Sequence, residues 1–163
     1  MSYQKVQSTK DVDTLVTVAH EIWTEYFGTM VDGKILAKII DAVQSKDAIQ
    51  SQIENGFDYY LIVEEKVVGY FSYKINQQHS ELFLSKVYIS CSSRGRGIGR
   101  KVLNHLETIC RGSGIKKISL TVFEKNSAAI RTYKKWGFID IGIVRREMGS
   151  GIAFNDIEMQ KIV

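Results

Sequence analysis

Apolar residues recur at regular spacing along most of the chain, and short polar turns separate the runs. Steps of three and four residues predict helices, whereas short runs rich in β-branched and aromatic residues predict strands. The predicted helices cover residues 10–27, 35–44, 45–55, 98–111 and 126–136. The predicted strands cover residues 2–7, 59–63, 67–75, 81–89, 116–122, 138–144 and 152–162. This order indicates an α/β (α+β) fold in one domain, residues 1–163, with a mixed, mostly antiparallel sheet of about six to seven strands and helices on both faces.

Local signals mark where several of these helices begin and end. Ser8 followed by Asp11 is typical of a helix start, with the serine as N-cap and an acid in the first turn. Ser45 is the predicted cap of the third helix. Gly112-Ser113-Gly114 and Gly137 follow apolar helical runs and predict their ends.

A basic, glycine-rich turn follows the fourth predicted strand and leads into a helix. It reads Arg94-Gly95-Arg96-Gly97-Ile98-Gly99, and Arg100 and Lys101 follow it. The first N–H groups of a helix have no partners within it, and glycine lets a backbone approach a phosphate closely. The segment therefore predicts a site for a phosphate-bearing ligand. A solvated basic surface explains the same residues, and the turn by itself does not decide between the two.

Composition and charge narrow the class of protein. Residues 1–90 hold eight Lys and Arg against twelve Asp and Glu, whereas residues 91–163 hold fourteen against six. An acidic half beside a basic half suits a cationic substrate and an anionic cofactor, although solvated charge explains it equally well. No apolar run reaches the roughly 18 residues of a membrane span, and the polar start does not resemble a signal peptide. Cys91 and Cys110 lack metal-ligand spacing, so we expect a cytoplasmic protein with no metal site.

A second motif stands after the next predicted strand, in the stretch EKNSAAIRTYKKWGF. It consists of Asn126, Ala129, Tyr133, Gly137 and Phe138. This spacing resembles the second half of the signature of the GNAT superfamily of N-acetyltransferases. The earlier Arg94-x-x-Gly97-x-Gly99 resembles that family's acetyl-CoA pyrophosphate loop. The resemblance covers about residues 60 to 145 well and the first 55 loosely. It implies the acetyltransferase fold, acetyl-CoA (coenzyme A) as cofactor, and direct transfer to a primary amine in a ternary complex.

The resemblance also implies which residues bind the cofactor. They are Val87, Tyr88, Ile89, Arg94, Gly95, Arg96, Gly97, Ile98, Gly99, Arg100, Asn126 and Lys135. The backbone of Val87 and Ile89 would pair with the pantetheine arm, and the Ile89 amide would polarise the thioester carbonyl. Asn126 would bond to the same arm or would simply cap its helix. Lys135 would reach a phosphate, as Lys134 equally could.

Tyr133 is the predicted catalytic residue. The family usually places a tyrosine here, where it can protonate the departing thiolate, and a phenol with a pKa of about 10 can donate at neutral pH. The alternative is an aromatic side chain of the helix that packs on the sheet.

The general base and the amine site are less well marked. Many family members carry a Glu near the position of Lys86, but the nearest strand carboxylate here is Glu81. The first helix offers His20, Glu21 and Glu25 as further candidates for the base, and loss of the proton to bulk water is also open. The same helix offers carboxylates and aromatic rings that would bind a cationic amine through charge and ring faces. The candidate substrate residues are Glu21, Trp23, Glu25, Tyr26 and Glu81. A solvated acidic helix face, and an edge role for Glu81, are the alternatives.

The tail nominates a substrate. Met148-Gly149, Asp156 and Met159 resemble the ending of bacterial polyamine acetyltransferases, so a polyamine leads over peptide amines and aminoglycoside-like compounds. A non-catalytic acyl-CoA sensor on the same fold is the alternative function. A nucleic-acid partner is not expected, because the basic residues cluster at one turn instead of forming a long stripe. A membrane partner is not expected either. The sequence does not decide whether the chain forms a homodimer.

Overall fold

The structure, a computed structural model, describes residues 1–147 and 151–163. Helices and strands follow each other in the predicted order within these residues. The strands are β1 (Ser2–Lys5), β2 (Asp58–Val63), β3 (Val67–Asn76), β4 (Glu81–Ile89), β5 (Lys117–Phe123), β6 (Ile139–Glu147) and β7 (Ala153–Ile162). The helices are α1 (Thr9–Phe27), α2 (Gly33–Gln44), α3 (Lys46–Glu54), α4 (Ile98–Ser113) and α5 (Ser127–Lys135). A 3-10 turn at Cys91–Ser93, which the sequence pattern did not indicate, precedes α4.

The seven strands follow the order β1-β2-β3-β4-β5-β7-β6 in one sheet. β4 and β5 are parallel, and Glu81–Phe83 pair with Lys117–Ser119. The pairs β1/β2, β2/β3, β5/β7 and β6/β7 are antiparallel. The prediction of a mixed, mostly antiparallel sheet of six to seven strands is therefore confirmed.

Two compact units make up the described chain. The first comprises residues 1–73 and 86–99, and the second comprises residues 74–85 and 100–163. Strands β3 and β4 contribute residues to both units. One domain over residues 1–163 stays a prediction.

The first unit has its core between α1 and the strands β2 and β3. One face of α1 is buried against Tyr59, Leu61 and Tyr70 of these strands. Ser8 caps α1 as predicted, because its Oγ accepts from the Asp11 amide at 3.1 Å and Asp11 Oδ2 accepts from the Ser8 amide at 2.9 Å. Such a reciprocal cap is typically worth about 1 kcal/mol. It fixes where α1 starts, and so which of its side chains face the strands.

The second unit buries one side of α4, the strand β5 and part of β7. The buried residues are Val102, Leu103, Leu106, Cys110, Ile118, Leu120, Val122 and Met159. Their three- and four-residue steps in α4 are those that the sequence predicted. No helix among the described residues is both long enough and apolar enough to span a bilayer.

Candidate functional site

The glycine-rich turn between β4 and α4 has the backbone conformation that only glycine adopts readily. Gly95 and Gly97 both have φ of +75°, in the left-handed region. A Cβ built at either glycine would meet no atom within 4 Å. Open space therefore faces the backbone at both positions, and another molecule can approach it there.

The start of α4 offers amide groups to such a molecule. The helix begins at Ile98, so the N-cap position is Gly97, which has no side chain to accept a hydrogen bond. The amides of the first turn have no carbonyl partners within the helix, and the helix dipole adds partial positive charge. This is the arrangement that binds phosphate groups at helix N-termini.

Gly69 allows β3 to approach the end of β4 closely. A Cβ at Gly69 would lie 2.3 Å from the Tyr88 carbonyl oxygen and 3.1 Å from Ile89 Cα. Just beyond, the Ser90 amide donates to the Val68 carbonyl at 2.9 Å. Any side chain at Gly69 would therefore push this part of β4 away. The sequence interpretation missed this residue, for which an isolated glycine inside a strand pattern is the available signal.

Arg94 anchors the turn to the end of β4 and to α1. Its Nε donates to the Ile89 carbonyl at 2.9 Å, and its guanidinium lies 4.7 Å from the centre of the Tyr26 ring. Glu25 lies 3.7 Å from Arg94 Nη2, and its Oε2 accepts from the Cys91 amide at 3.3 Å. Nη2 is buried, yet it has no hydrogen-bond partner within the described residues.

Arg96 already has an anionic partner. Its Nη1 lies 2.9 Å from Glu64 Oε2, in the turn between β2 and β3. The Arg96 side chain is 56% exposed, and exposed ion pairs contribute about 0–1 kcal/mol, so exchanging Glu64 for a phosphate costs little. Glu64 was not among the predicted site residues. Arg100 is one of the predicted site residues, and its side chain is exposed.

Taken together, these residues fit the pyrophosphate of coenzyme A. The open glycine backbone and the amides at the start of α4 supply neutral donors, and the Arg94 guanidinium adds positive charge beside them. The fit depends mainly on the backbone, because the Arg94 and Arg96 side chains both contact other groups of the chain.

The predicted amine-binding residues of α1 are engaged within the protein to different extents. Glu25 and Tyr26 both face Arg94, so the cation that they hold is the chain's own guanidinium. Trp23 donates through Nε1 to the Tyr70 hydroxyl at 3.0 Å, and its ring contacts Phe27 and Tyr88. Glu21 is exposed. The amine-binding role of these residues stays a prediction.

Lys86 is buried where many members of the resembled family carry a Glu. Its ammonium donates to the Val43 carbonyl at 2.9 Å, to Gln44 Oε1 at 3.3 Å and to the Tyr59 hydroxyl at 2.6 Å. Tyr59 in turn donates to Gln52 Oε1 at 2.5 Å, and burial raises the pKa of this phenol well above its usual range. Val43 lies in the last turn of α2, where a cation is favourable. Lys86 therefore acts as a cation that joins β4 to the end of α2.

Asn126 caps α5 in the second unit. Its Oδ1 accepts from the Ala129 amide at 3.2 Å, and the residue is 6% exposed. The capping interpretation of Asn126 is therefore confirmed, whereas its contact with the cofactor stays a prediction. Lys135 is exposed in the last turn of the same helix.

Tyr133 lies half-buried on α5 between two other rings. Its ring centre lies 5.8 Å from that of Trp136 and 5.6 Å from that of Phe138, both in edge-to-face arrangement. The chain turns back at Gly137, with φ of +91°, and the Phe138 amide donates to the Tyr133 carbonyl at 3.0 Å. These contacts fix the ring orientation. The packing alternative is thus observed, and proton donation by the hydroxyl stays a prediction.

The remaining predicted residues have contacts of their own. Glu81 is the first residue of β4, which lies between β3 and β5 in the strand order and not at an edge, and it lies 3.8 Å from the Lys117 ammonium. Asp156 lies 3.0 Å from Arg146; burial raises the pKa of this carboxyl, and Arg146 opposes that shift. The predicted Met148–Gly149 turn falls outside the described residues.

Known proteins of similar sequence and fold carry acetyltransferase names. A spermidine N(1)-acetyltransferase of Thermoplasma acidophilum is 25% identical over 137 residues, 80% of this chain and 84% of that protein. A spermine/spermidine N(1)-acetyltransferase of Bacillus subtilis is 31% identical over 85 residues, 48% of this chain and 56% of that protein.

A crystal structure of the PaiA N-acetyltransferase from Thermoplasma acidophilum, in complex with coenzyme A, shares the fold. The TM-score is 0.75 over 100% of both chains, at 24% sequence identity. The family model described as the acetyltransferase (GNAT) family matches residues 17–138. Because this match covers most of the sequence, the chain belongs to the acetyltransferase (GNAT) family, whose members are N-acetyltransferases that take the acetyl group from acetyl-CoA.

Proposed function

We propose that this chain acetylates a primary amine of a small molecule, by direct attack of the amine in a ternary complex with acetyl-CoA. The observation that carries the proposal is the turn at Gly95 and Gly97, where open space faces the backbone directly before the start of α4. Bound acetyl-CoA supplies the thioester from which the acetyl group is transferred.

Residues of the first unit hold the donor. Amides of the turn bind the diphosphate, and the Arg94 guanidinium adds positive charge beside them. The backbone of Val87, Tyr88 and Ile89 holds the arm in an extended conformation. The Ile89 amide is a hydrogen-bond donor, as polarisation of the thioester carbonyl requires. The Ile89 carbonyl accepts from Arg94 Nε at 2.9 Å, which ties the end of β4 to the turn.

Tyr133 supplies the proton that the departing sulfur needs. The ring contacts with Trp136 and Phe138 hold its orientation, as a positioned acid requires. The amine must lose a proton before it attacks. Lys86 is hydrogen-bonded to three acceptors as an ammonium and has no lone pair to accept that proton, so we expect the proton to leave through water.

A polyamine is the substrate class that we favour. Two similar proteins are named for spermidine and spermine, at 25% and 31% identity. An exposed carboxylate on α1, that of Glu21, suits recognition of an amine that carries a second positive charge. We expect Glu21→Gln to raise KM for a polyamine more than KM for acetyl-CoA.

Release of free thiol from acetyl-CoA tests the proposal. The purified chain is mixed with acetyl-CoA and, in turn, spermidine, spermine, amino acids, aminoglycosides and short peptides, and the thiol is measured. We expect release with polyamines above the rate without amine. No release with any amine, despite tight acetyl-CoA binding, would replace the proposal with an acyl-CoA sensor.

The variant Tyr133→Phe tests the acid. We expect it to bind acetyl-CoA with unchanged affinity and to lose turnover by about 100-fold, the lower range for general acid catalysis. The matched control is Tyr60→Phe, whose ring stacks on Phe71 in the first unit and has no proposed role in the reaction. Full turnover by Tyr133→Phe would remove this residue from the mechanism.

A further inference from the structure

The turn between β2 and β3, residues 64–66, lies beside the glycine-rich turn that follows β4. Gly69 lets the start of β3 approach the end of β4, since a Cβ there would lie 2.3 Å from the Tyr88 carbonyl oxygen. The Ser90 amide donates to the Val68 carbonyl at 2.9 Å and ties the two strands together at this point. Both turns belong to the first compact unit. Side chains of the two turns can therefore meet.

The pair that meets there is Glu64 and Arg96. Glu64 Oε2 lies 2.9 Å from Arg96 Nη1, and the Glu64 side chain is 23% exposed whereas that of Arg96 is 56% exposed. The Glu64 amide donates to the Lys66 carbonyl at 2.9 Å, which closes the turn and fixes the backbone that carries the carboxylate. The carboxylate is thus held in place, and the guanidinium lies mostly in solvent, where it can change its partner.

The two arginines of the glycine-rich turn differ in what else holds them. Arg94 has two contacts that need no carboxylate, because its Nε donates to the Ile89 carbonyl at 2.9 Å and its guanidinium lies 4.7 Å from the centre of the Tyr26 ring. Within the described residues, the ion pair of Arg96 is with Glu64 alone. Arg96 is therefore the arginine that can be passed from one anion to another.

A carboxylate and a phosphate bind a guanidinium in the same way, through oxygen atoms that accept from its N–H groups. We propose that Glu64 competes with the phosphate groups of the cofactor for Arg96. Glu64 releases the guanidinium when the diphosphate binds beside the turn, and it binds the guanidinium again as coenzyme A leaves. Glu64 thereby weakens the binding of acetyl-CoA and of coenzyme A and speeds the release of the product. This inference rests on the proposed cofactor site at Gly95 and Gly97.

The variant Glu64→Gln tests the competition, because glutamine keeps the shape of the side chain and loses its charge. We expect the dissociation constant of coenzyme A, measured by isothermal titration calorimetry, to fall by about two- to fivefold, the range for an exposed ion pair. The dissociation rate, measured by stopped-flow displacement, should fall by a similar factor. Both differences should shrink at high salt.

Glu65→Gln is the matched control. It removes the same charge one residue further along the turn, and Glu65 is exposed and makes no ion pair in the described part of the chain. Both the affinity and the dissociation rate should stay nearly unchanged. An equal gain in Glu65→Gln would assign the effect to the net charge of the chain and overturn the proposal.

A double-variant cycle with Arg96→Gln separates exchange from simple repulsion between Glu64 and the phosphates. When Arg96 is absent there is no guanidinium to compete for, so Glu64→Gln should then bring no gain in affinity. A gain that persists in the Arg96→Gln background, or unchanged binding by Glu64→Gln alone, would overturn the proposal.

Gly97→Val, measured in parallel, tells failure of the exchange from failure of the cofactor site. If Gly97→Val weakens the binding of coenzyme A and Glu64→Gln has no effect, the exchange is wrong and the site stands. If Gly97→Val binds as tightly as the parent, the site itself is wrong, and the exchange with it.

Discussion

Two junctions of this protein lead from a strand to a helix, and they treat the first amides of the helix in opposite ways. Between β5 and α5, the side chain of Asn126 accepts from the Ala129 amide at 3.2 Å. Between β4 and α4, the N-cap position is Gly97, which has no side chain, and two glycines have φ of +75°. One junction caps its helix from within. The other leaves donors for an external acceptor.

This difference separates stability from binding. A capped helix start gains about 1 kcal/mol from its own side chain, so its amides have less to offer a ligand. An uncapped start forgoes that gain and can bind an anion instead. We therefore infer that the junction between β4 and α4 carries affinity for acetyl-CoA and that the junction between β5 and α5 carries folding stability.

The largest effect is expected from Gly97→Val. A β-branched residue at positive φ costs about 1–2 kcal/mol or more, so the loop should move to a conformation that withdraws its amides. We expect acetyl-CoA to bind at least about tenfold more weakly, which corresponds to about 1.4 kcal/mol, as measured by isothermal titration calorimetry.

Gly112→Ala is the control for this substitution. Gly112 lies in α4, is exposed, and has nothing within 4 Å of a built Cβ. Alanine should raise stability by up to about 1 kcal/mol and leave affinity unchanged. If Gly97→Val bound acetyl-CoA as tightly as the parent, the junction between β4 and α4 would not be the anion site.

A smaller loss is expected from Arg94→Lys. Lysine keeps the charge but loses the planar fork that donates to the Ile89 carbonyl and lies on the Tyr26 ring. We expect acetyl-CoA affinity to fall about three- to fivefold, or roughly 1 kcal/mol, in the same titration.

Arg96→Lys provides the comparison, because the Arg96 side chain is 56% exposed and contacts a single carboxylate, that of the partly buried Glu64. A lysine can replace such a contact, so little change in affinity is expected. Equal losses at Arg94 and Arg96 would show that only the charge matters and that the anchoring contacts do not.

Features that depend on neighbours in the sequence could be predicted from it. The caps at Ser8 and Ser45 follow from residues within one helical turn, and both are observed. The glycine turn could also be recognised, because its backbone conformation is a local property of Gly95 and Gly97. The order of helices and strands along the chain followed from the same logic, since hydrophobic periodicity marks each element separately.

Contacts between distant residues could not be predicted in this way. Arg94 was assigned to a phosphate, yet the sequence does not indicate that Glu25 and Tyr26 face it. The sequence around Lys86 did not indicate that its acceptors are Val43 of α2 and Tyr59 of β2. Periodicity tells which side of an element is buried, but not which polar groups meet there.

Asn126→Ala should have the smallest effect on the cofactor and a measurable one on folding. Loss of the cap leaves the Ala129 amide without its acceptor, so we expect the free energy of unfolding in urea to fall by about 1 kcal/mol. Asn126→Asp keeps an acceptor oxygen and should recover most of that loss. The acetyl-CoA affinity of Asn126→Ala tests the second role that the sequence suggested for Asn126, which is contact with the cofactor. If Asn126→Ala weakened binding as strongly as Gly97→Val, the two junctions would both contact the cofactor, and the separation of affinity from stability would fail.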